Sequence, residues 1–219
     1  MSGRMIFCDF DGTITNSDNI IAIMKKYAPK EWDDIKDKVL AQEISIKEGV
    51  GKMFALLPSS QREEITNFIV NHAEIRKGFK EFVAYTKQEQ IPLYIVSGGI
   101  DFFVYPILEK YIEKKNIYCN VSDFSSKTIS ILWPHACDQH CDNDCGCCKP
   151  TIIRNLADSK THKIVIGDSI TDLEAAKLAD QVIARDYLME KCEEHSISFA
   201  PFETFYDVIE ILKKKVVTV

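Results

Sequence analysis

No stretch of this 219-residue sequence stays apolar for the length a bilayer-spanning helix needs, so a membrane role is not expected. Positive charge is also scarce. Lys and Arg number 27 against 33 Asp and Glu, for a formal net charge of −6. General nucleic-acid binding needs a basic surface, and that class is excluded as well. Repeats, low-complexity tracts and flexible linkers are absent, and Gly and Pro together number 16 (9 and 7). What is there is an ordinary globular composition, 46% hydrophobic, 27% charged and 10% aromatic. Its length suits one core domain with a small insertion. The first apolar run, Met5–Cys8, is too short for a signal peptide and ends against Asp9. A cytoplasmic protein is therefore expected, with its eight cysteines as thiols or metal ligands rather than a disulfide framework.

Four short apolar runs read as buried strands: Met5–Cys8, Pro92–Val96, Lys163–Ile166 and Gln181–Ala184. Continuous apolarity without alternation is the signature of parallel strands covered on both faces. Helical patterns such as Phe79-Phe82-Val83 and Leu173-Ala176-Lys177 lie between them. The alternation predicts an α/β fold, a doubly wound and mostly parallel sheet. Residues 16–75 interrupt it with four amphipathic patterns, around Ile20–Met24, Ile35–Leu40, Val50–Leu57 and Ile65–Ile69. Ser45-Ile46-Lys47-Glu48 and Ser60-Gln61-Arg62-Glu63 read as capping boxes at two of their starts. An insertion this long reads as a helical cap, with a core of residues 1–15 and 76–219. Within that core, 116–148 is irregular. Ile117–Val121 and Thr128–Trp133 are spaced as a hairpin, and a Cys-rich loop follows. At the other end, Lys213-Lys214-Lys215 suits the C-terminal dipole of a final helix.

The strand ends carry the chemistry. Asp9-Phe10-Asp11-Gly12-Thr13 follows the first strand. Carboxylates two residues apart in extended chain share a side, and Gly12 permits the tight turn that holds them there. Two close carboxylates repel unless a cation compensates, which points to a hard divalent ion such as Mg²⁺. Ser97-Gly98-Gly99 closes the second strand, and a hydroxyl with free N–H groups at a helix start forms a phosphate cradle. Gly167-Asp168-Ser169-Ile170-Thr171-Asp172 closes the third, adding two more carboxylates. Lys149-Pro150 precedes that strand, with the proline placed to open a helix.

Taken in order, DxDGT, a strand-end Ser, a Lys before a helix and GDSxTD resemble the haloacid dehalogenase superfamily of phosphohydrolases over almost the whole chain. The resemblance implies Asp9 as the nucleophile that becomes an aspartyl phosphate, and Asp11 as general acid and base. The Asp11 main-chain carbonyl would join Asp9 and Asp168 around Mg²⁺. Ser97, Gly98 and Lys149 would bind the phosphoryl oxygens, and Asp172 would orient the metal site. An acid at position 11 favours phosphomonoester hydrolysis, with a phosphomutase as an alternative. The helical cap and the hairpin resemble the phosphoserine phosphatase branch, and Asp18 could stand for that branch's cap acid. Its cap arginine has no counterpart in Ile44–Leu57, which offers Lys47 and Lys52 instead. Three stretches, Ile44–Gly51, Ile100–Pro106 and Cys145–Pro150, resemble more closely a group that dephosphorylates a methylthio-substituted enol phosphate in methionine salvage. The implied partner is a small phosphorylated metabolite. Met53, Phe54, Phe102 and Phe103 could receive a thioether tail or could be core residues. The sequence sets no oligomeric state.

The loop from Trp133 to Cys148 holds five Cys and two His. Cys137, Cys141, Cys145 and Cys148, spaced in threes and fours, could ligate a structural Zn²⁺, form a redox disulfide, or stay as reduced thiols. A zinc or redox binding module retaining the fold is thus a further alternative. Cys8 and Cys119 fall in strands and read as buried and inert.

Overall fold

The computed structural model describes residues 3–214. Met1, Ser2 and 215–219, among them Lys215 of the lysine tail, lie outside the described residues. The strands are β1 (Arg4–Cys8), β2 (Leu93–Ile100), β3 (Ile117–Asp123), β4 (Ser130–Leu132), β5 (His162–Gly167), β6 (Gln181–Ala184) and β7 (Phe199–Pro201). They form one sheet in the order β4-β3-β2-β1-β5-β6-β7. All neighbours pair parallel except β3 and β4, which pair antiparallel. Central β1 is flanked by β2 and β5, so the chain winds outward in both directions from it. In such sheets a crevice opens at the carboxyl ends of the strands beside the switch point.

The alternation of side chains explains the unbroken apolar runs. Ile6 and Cys8 of β1 join one core, whereas Phe7 joins another with Val96, Val165, Ile152 and Ile153. Each strand therefore buries both faces. The helices that supply this cover are α5 (Phe79–Gln88), α6 (Asp101–Leu108), α7 (Lys149–Leu156), α8 (Leu173–Ala176), α9 (Asp186–Glu194) and α10 (Phe205–Lys213), numbered after the four below.

Between β1 and α5 stand α1 (Asn19–Tyr27), α2 (Glu31–Leu40), α3 (Ile46–Ala55) and α4 (Arg62–His72). The chain departs at Thr15 and returns at Ile75, where the two segments form an antiparallel bridge. Ile23, Phe54, Ile65 and Ile69 of these helices share a core with Phe10, Ile100 and Phe103 of the sheet side. Asp18 caps α1 by accepting the Ile21 N–H at 3.0 Å. Ser45 accepts the Glu48 N–H at 3.0 Å, but Glu48 turns to Lys52 at 2.6 Å, so only half of that capping box forms. The second box does not form. Ser60 lies in a 3-10 turn, Ser59–Gln61, and α4 starts later without a side-chain cap. That turn is held by the Ser59 N–H on the Lys127 carbonyl at 2.9 Å and by the Pro58–Thr128 bridge, which displaces the helix start.

One further expectation is corrected. Ser97-Gly98-Gly99 lies within β2, not at a helix start, because the strand runs on to Ile100 after a register shift against β3. Asn120 fixes this extension by donating to the Gly98 carbonyl at 2.8 Å. Strand β7 carries no apolar run long enough to announce it; its pairing with β6 alone defines it.

Phe79 and Phe82 of α5 pack against Phe205 of α10 with ring centroids 5.0 Å apart in each pair, and all three are fully buried. Phe205→Ala is expected to cost about 3–5 kcal/mol of unfolding free energy, read by urea denaturation.

Candidate active site

The carboxyl ends of β1 and β5 bring the motif residues together. Asp9 follows β1 directly, held in line by its own N–H on the Ile166 carbonyl at 2.9 Å. Asp168 follows β5, and Asp172 follows it in a 3-10 turn, Ile170–Asp172. Asp9, Asp168 and Asp172 each offer an oxygen, and these oxygens lie within 4.8 Å of one another. Lys149, the first residue of α7, reaches in between two of them. Its ammonium donates to Asp9 Oδ1 at 2.6 Å and to Asp172 Oδ1 at 2.5 Å, with all three side chains buried. Asp172 also accepts the N–H groups of Asp168 and Ser169 through its other oxygen, both at 3.2 Å. It therefore positions Asp168 while holding Lys149.

Electrostatics follow from this crowding. Burial raises the Asp9 carboxyl well above its ordinary range, against the opposing pull of Lys149. Burial and Asp172 raise Asp168 to about 6. Burial alone would favour loss of the Lys149 proton, but Asp172 and Asp9 more than offset it and hold the ammonium charged. With the three carboxylates ionised, one ammonium leaves two net negative charges in the site. Oxygen donors bearing that charge fit a hard divalent cation. Cys8, buried beneath, is pushed up by the same desolvation and stays an inert thiol.

Asp11 has other partners. Its Oδ1 accepts from the backbone and side chain of Asn19 at 3.0 and 2.7 Å, and its Oδ2 accepts from the Ser97 hydroxyl at 3.4 Å. Burial and Asp18 push its carboxyl up to about 7, so near neutrality it can either hold or release a proton. Ser97 in turn accepts the Gly99 N–H at 2.8 Å. A side chain on Gly98 would meet nothing within 4 Å, so the backbone there is approachable.

The turn after Asp9 admits only glycine at position 12. Its φ is +80°, and a Cβ there would stand 2.3 Å from an Asp168 oxygen. Thr13 completes the contact, donating to Asp168 Oδ1 at 2.7 Å. Arg76 locks the same turn and escaped the reading from motifs. Buried, it donates to the carbonyls of Gly12 at 2.6 Å, Thr13 at 2.7 Å and Thr15 at 3.3 Å. Asn19 and Asn120 were missed too. A lone Arg or Asn outside a motif gives no local signal, and only the fold brings these residues to the strand ends.

Met53, Phe54, Phe102 and Phe103 are packed core, at 5%, 0%, 8% and 0% exposure. Asp18 is committed to capping α1. Elsewhere, the sulfurs of Cys137, Cys141, Cys145 and Cys148 converge to within 4.8 Å of one another.

A model for haloacid dehalogenase-like hydrolases matches residues 6–177, which span all four motifs. The chain belongs to this family. Among curated relatives, the 2-hydroxy-3-keto-5-methylthiopentenyl-1-phosphate phosphatase of Geobacillus thermodenitrificans is 60% identical over 96% of both chains. A protein of the same name from Bacillus cereus is 55% identical over 95% of both. Among solved structures, a phospho-aspartyl intermediate analogue of phosphoserine phosphatase superposes with a TM-score of 0.72 at 19% identity, covering 97% of this chain and 99% of that one. A phosphoserine phosphohydrolase-like protein from Francisella tularensis gives 0.71 at 20% identity, covering 95% and 99%. These structures share the hydrolase fold with this chain. No helix among the described residues is long and apolar enough to cross a membrane.

Arg76→Met keeps the length of the side chain but removes its donors. It is expected to cost about 1.5–3 kcal/mol of unfolding free energy for the charged hydrogen bonds lost, read by chemical denaturation.

Proposed function

We propose that this hydrolase removes the phosphoryl group from 2-hydroxy-3-keto-5-methylthiopentenyl-1-phosphate, releasing the dihydroxy-keto-methylthiopentene in methionine salvage. The chain is a phosphoric monoester hydrolase. The observation that carries the chemistry is Lys149 bridging buried Asp9 and Asp172 beside Asp168. The substrate rests on the 60% identity, end to end, with a phosphatase of that name.

The roles follow from position. Asp9 is the nucleophile. Lys149 holds its reactive oxygen and draws charge from the transferring phosphoryl group, which leaves Asp9 as an aspartyl phosphate. Ser97 and the Gly98 backbone bind the other phosphoryl oxygens. Asp11 gives its proton to the leaving oxygen, then takes one from the water that cleaves the aspartyl phosphate. Asp9, Asp168 and the Asp11 carbonyl would hold Mg²⁺, and Asp172 would orient them. Bound there, Mg²⁺ would offset the charge of the carboxylates and the phosphoryl oxygens. Such positioning and charge compensation are what slow phosphate-ester cleavage requires.

Helices α1–α4, entered and left at the Thr15–Ile75 bridge, act as a cap on the crevice, contributing Asn19 beneath Asp11. Closure of the cap would exclude water from the first step.

The test is Mg²⁺-dependent phosphate release from the enol phosphate, phosphoserine and an aryl phosphate. A strong preference for the enol phosphate is expected. Equal or greater release from phosphoserine would move the assignment to that branch, and release from the aryl ester alone would discard the substrate. Asp9→Asn is expected to abolish turnover with the fold intact by circular dichroism; wild-type turnover would sink the nucleophile assignment. Lys149→Ala is expected to lower kcat by about a thousandfold or more, since a charged donor to the reacting group is lost.

A further inference from the structure

The four sulfurs of the Cys-rich loop form a cluster separate from the catalytic carboxylates. The geometry points to a structural zinc site with Cys137, Cys141, Cys145 and Cys148 as its four ligands, a clamp that seats both Lys149 and helix α3. Around a tetrahedral Zn²⁺ with bonds of about 2.3 Å, neighbouring sulfurs stand about 3.8 Å apart. Here all four lie within 4.8 Å of one another, and Cys141 and Cys145 are 3.9 Å apart. Four sulfurs meeting at one point is the arrangement of a metal centre; two disulfides would divide them into pairs.

The surroundings are those of thiolate ligands. The Cys145 N–H points at Cys137 Sγ at 3.5 Å, and the Thr151 hydroxyl donates to Cys148 Sγ at 3.1 Å. Donors of this kind offset the negative charge on metal-bound sulfur. Cys145 and Cys148 are two residues apart in between, and the turn joining them needs φ +80° at Gly146. A Cβ on Gly146 would also press to 2.8 Å from the Trp133 ring. Such a tight knuckle is a usual way to aim two sulfurs at one zinc. Cys147, the fifth cysteine of the loop, points away, into the core with Val96 and Ile152.

The cluster is bolted to the two elements that matter. Asp138, one residue after the first ligand, takes a two-pronged pair from Arg154 of α7 at 2.7 and 2.5 Å. Cys148, the last ligand, is the N-cap of α7, directly before Lys149. Asp144, one residue before Cys145, accepts from Ser45 at 2.8 Å and from the Lys47 ammonium at 3.0 Å at the start of α3. Three segments would be held by one ion: the loop, the helix bearing Lys149, and the first turn of α3. Without the ion, two or more thiolates at this spacing would repel, and the four sulfurs would lose the bonds that hold them at one point.

The proposal does not rest on the phosphatase reading, and the test separates the two. Protein produced without added zinc is gel-filtered and its metals are measured by mass spectrometry. About one zinc per chain is expected, with no iron. Replacing zinc by Co²⁺ should give the intense visible absorption of tetrahedral cobalt thiolate. Cys141→Ser should lower retained zinc about tenfold or more after dialysis against a weak chelator. Asp9→Asn should keep its zinc while losing turnover. Zinc-stripped enzyme, assayed with Mg²⁺ in excess, should lose activity and regain it when zinc is returned. A wild-type protein that holds no zinc and gives no cobalt spectrum would overturn the site, as would iron in its place or full retention by Cys141→Ser. Should that variant fail to fold, the wild-type metal content and cobalt spectrum decide alone. Unchanged activity in the stripped enzyme would overturn the link to Lys149.

Discussion

One buried ammonium between two buried carboxylates organises this molecule. Lys149 enters from α7, Asp9 from β1 and Asp172 from the turn after β5. Removing Lys149 would leave these buried carboxylates without their counter-charge, which costs several kcal/mol. The pairing therefore requires the ends of β1 and β5 and the start of α7 to sit in register. The parallel pairing of β1 with β5, residue against residue from Arg4–His162 to Cys8–Ile166, supplies that register. Asp172 takes part twice, since its second oxygen holds the backbone N–H groups of Asp168 and Ser169.

The rest of the site is built to keep this charge cluster from relaxing. Gly12 lets the turn after Asp9 approach Asp168 more closely than any side chain would allow. Arg76 then fastens the turn by its carbonyls. Because Arg76 directly follows the Thr15–Ile75 bridge, the same residue ties the exit of the helical insertion to the loop that bears the nucleophile. The insertion is not a detached lid. Its apolar faces share a core with the sheet side, and Asn19 delivers two hydrogen bonds to Asp11. On the other flank the Cys-rich loop ends on the cap residue of α7, so the position of Lys149 depends on how that loop is held.

Much of this was legible residue by residue. The apolar runs announced four parallel strands because a strand covered on both faces has no polar side to show. Periodicity marked the four inserted helices, since an amphipathic face repeats at the helical period whatever it packs against. DxDGT and GDSxTD marked strand ends because carboxylates and a glycine crowd only where a turn must hold charge. Asp9, Asp11, Ser97, Lys149, Asp168 and Asp172 all stand at one crevice, as their order along the chain implied. Local signals misled where a neighbour far in sequence competed. Ser60 lost its capping role to a turn pinned by Lys127 and Thr128. For Met53, Phe54, Phe102 and Phe103, which the sequence left open between a thioether pocket and the core, burial decides for the core.

The sequence alone determined the fold class, the strand-end chemistry and the family, because periodicity and motif spacing are properties of neighbouring residues. Tertiary structure alone decided which oxygens meet Lys149, that Arg76 and Asn19 belong to the site, that Ser97 lies in a strand, and that four of the five loop sulfurs converge while Cys147 turns inward. The reason is physical. Hydrogen bonds and ion pairs such as Arg76–Thr13, 63 positions apart, and Lys149–Asp9, 140 apart, depend on sheet register and helix docking, and neither is written in any local stretch of chain.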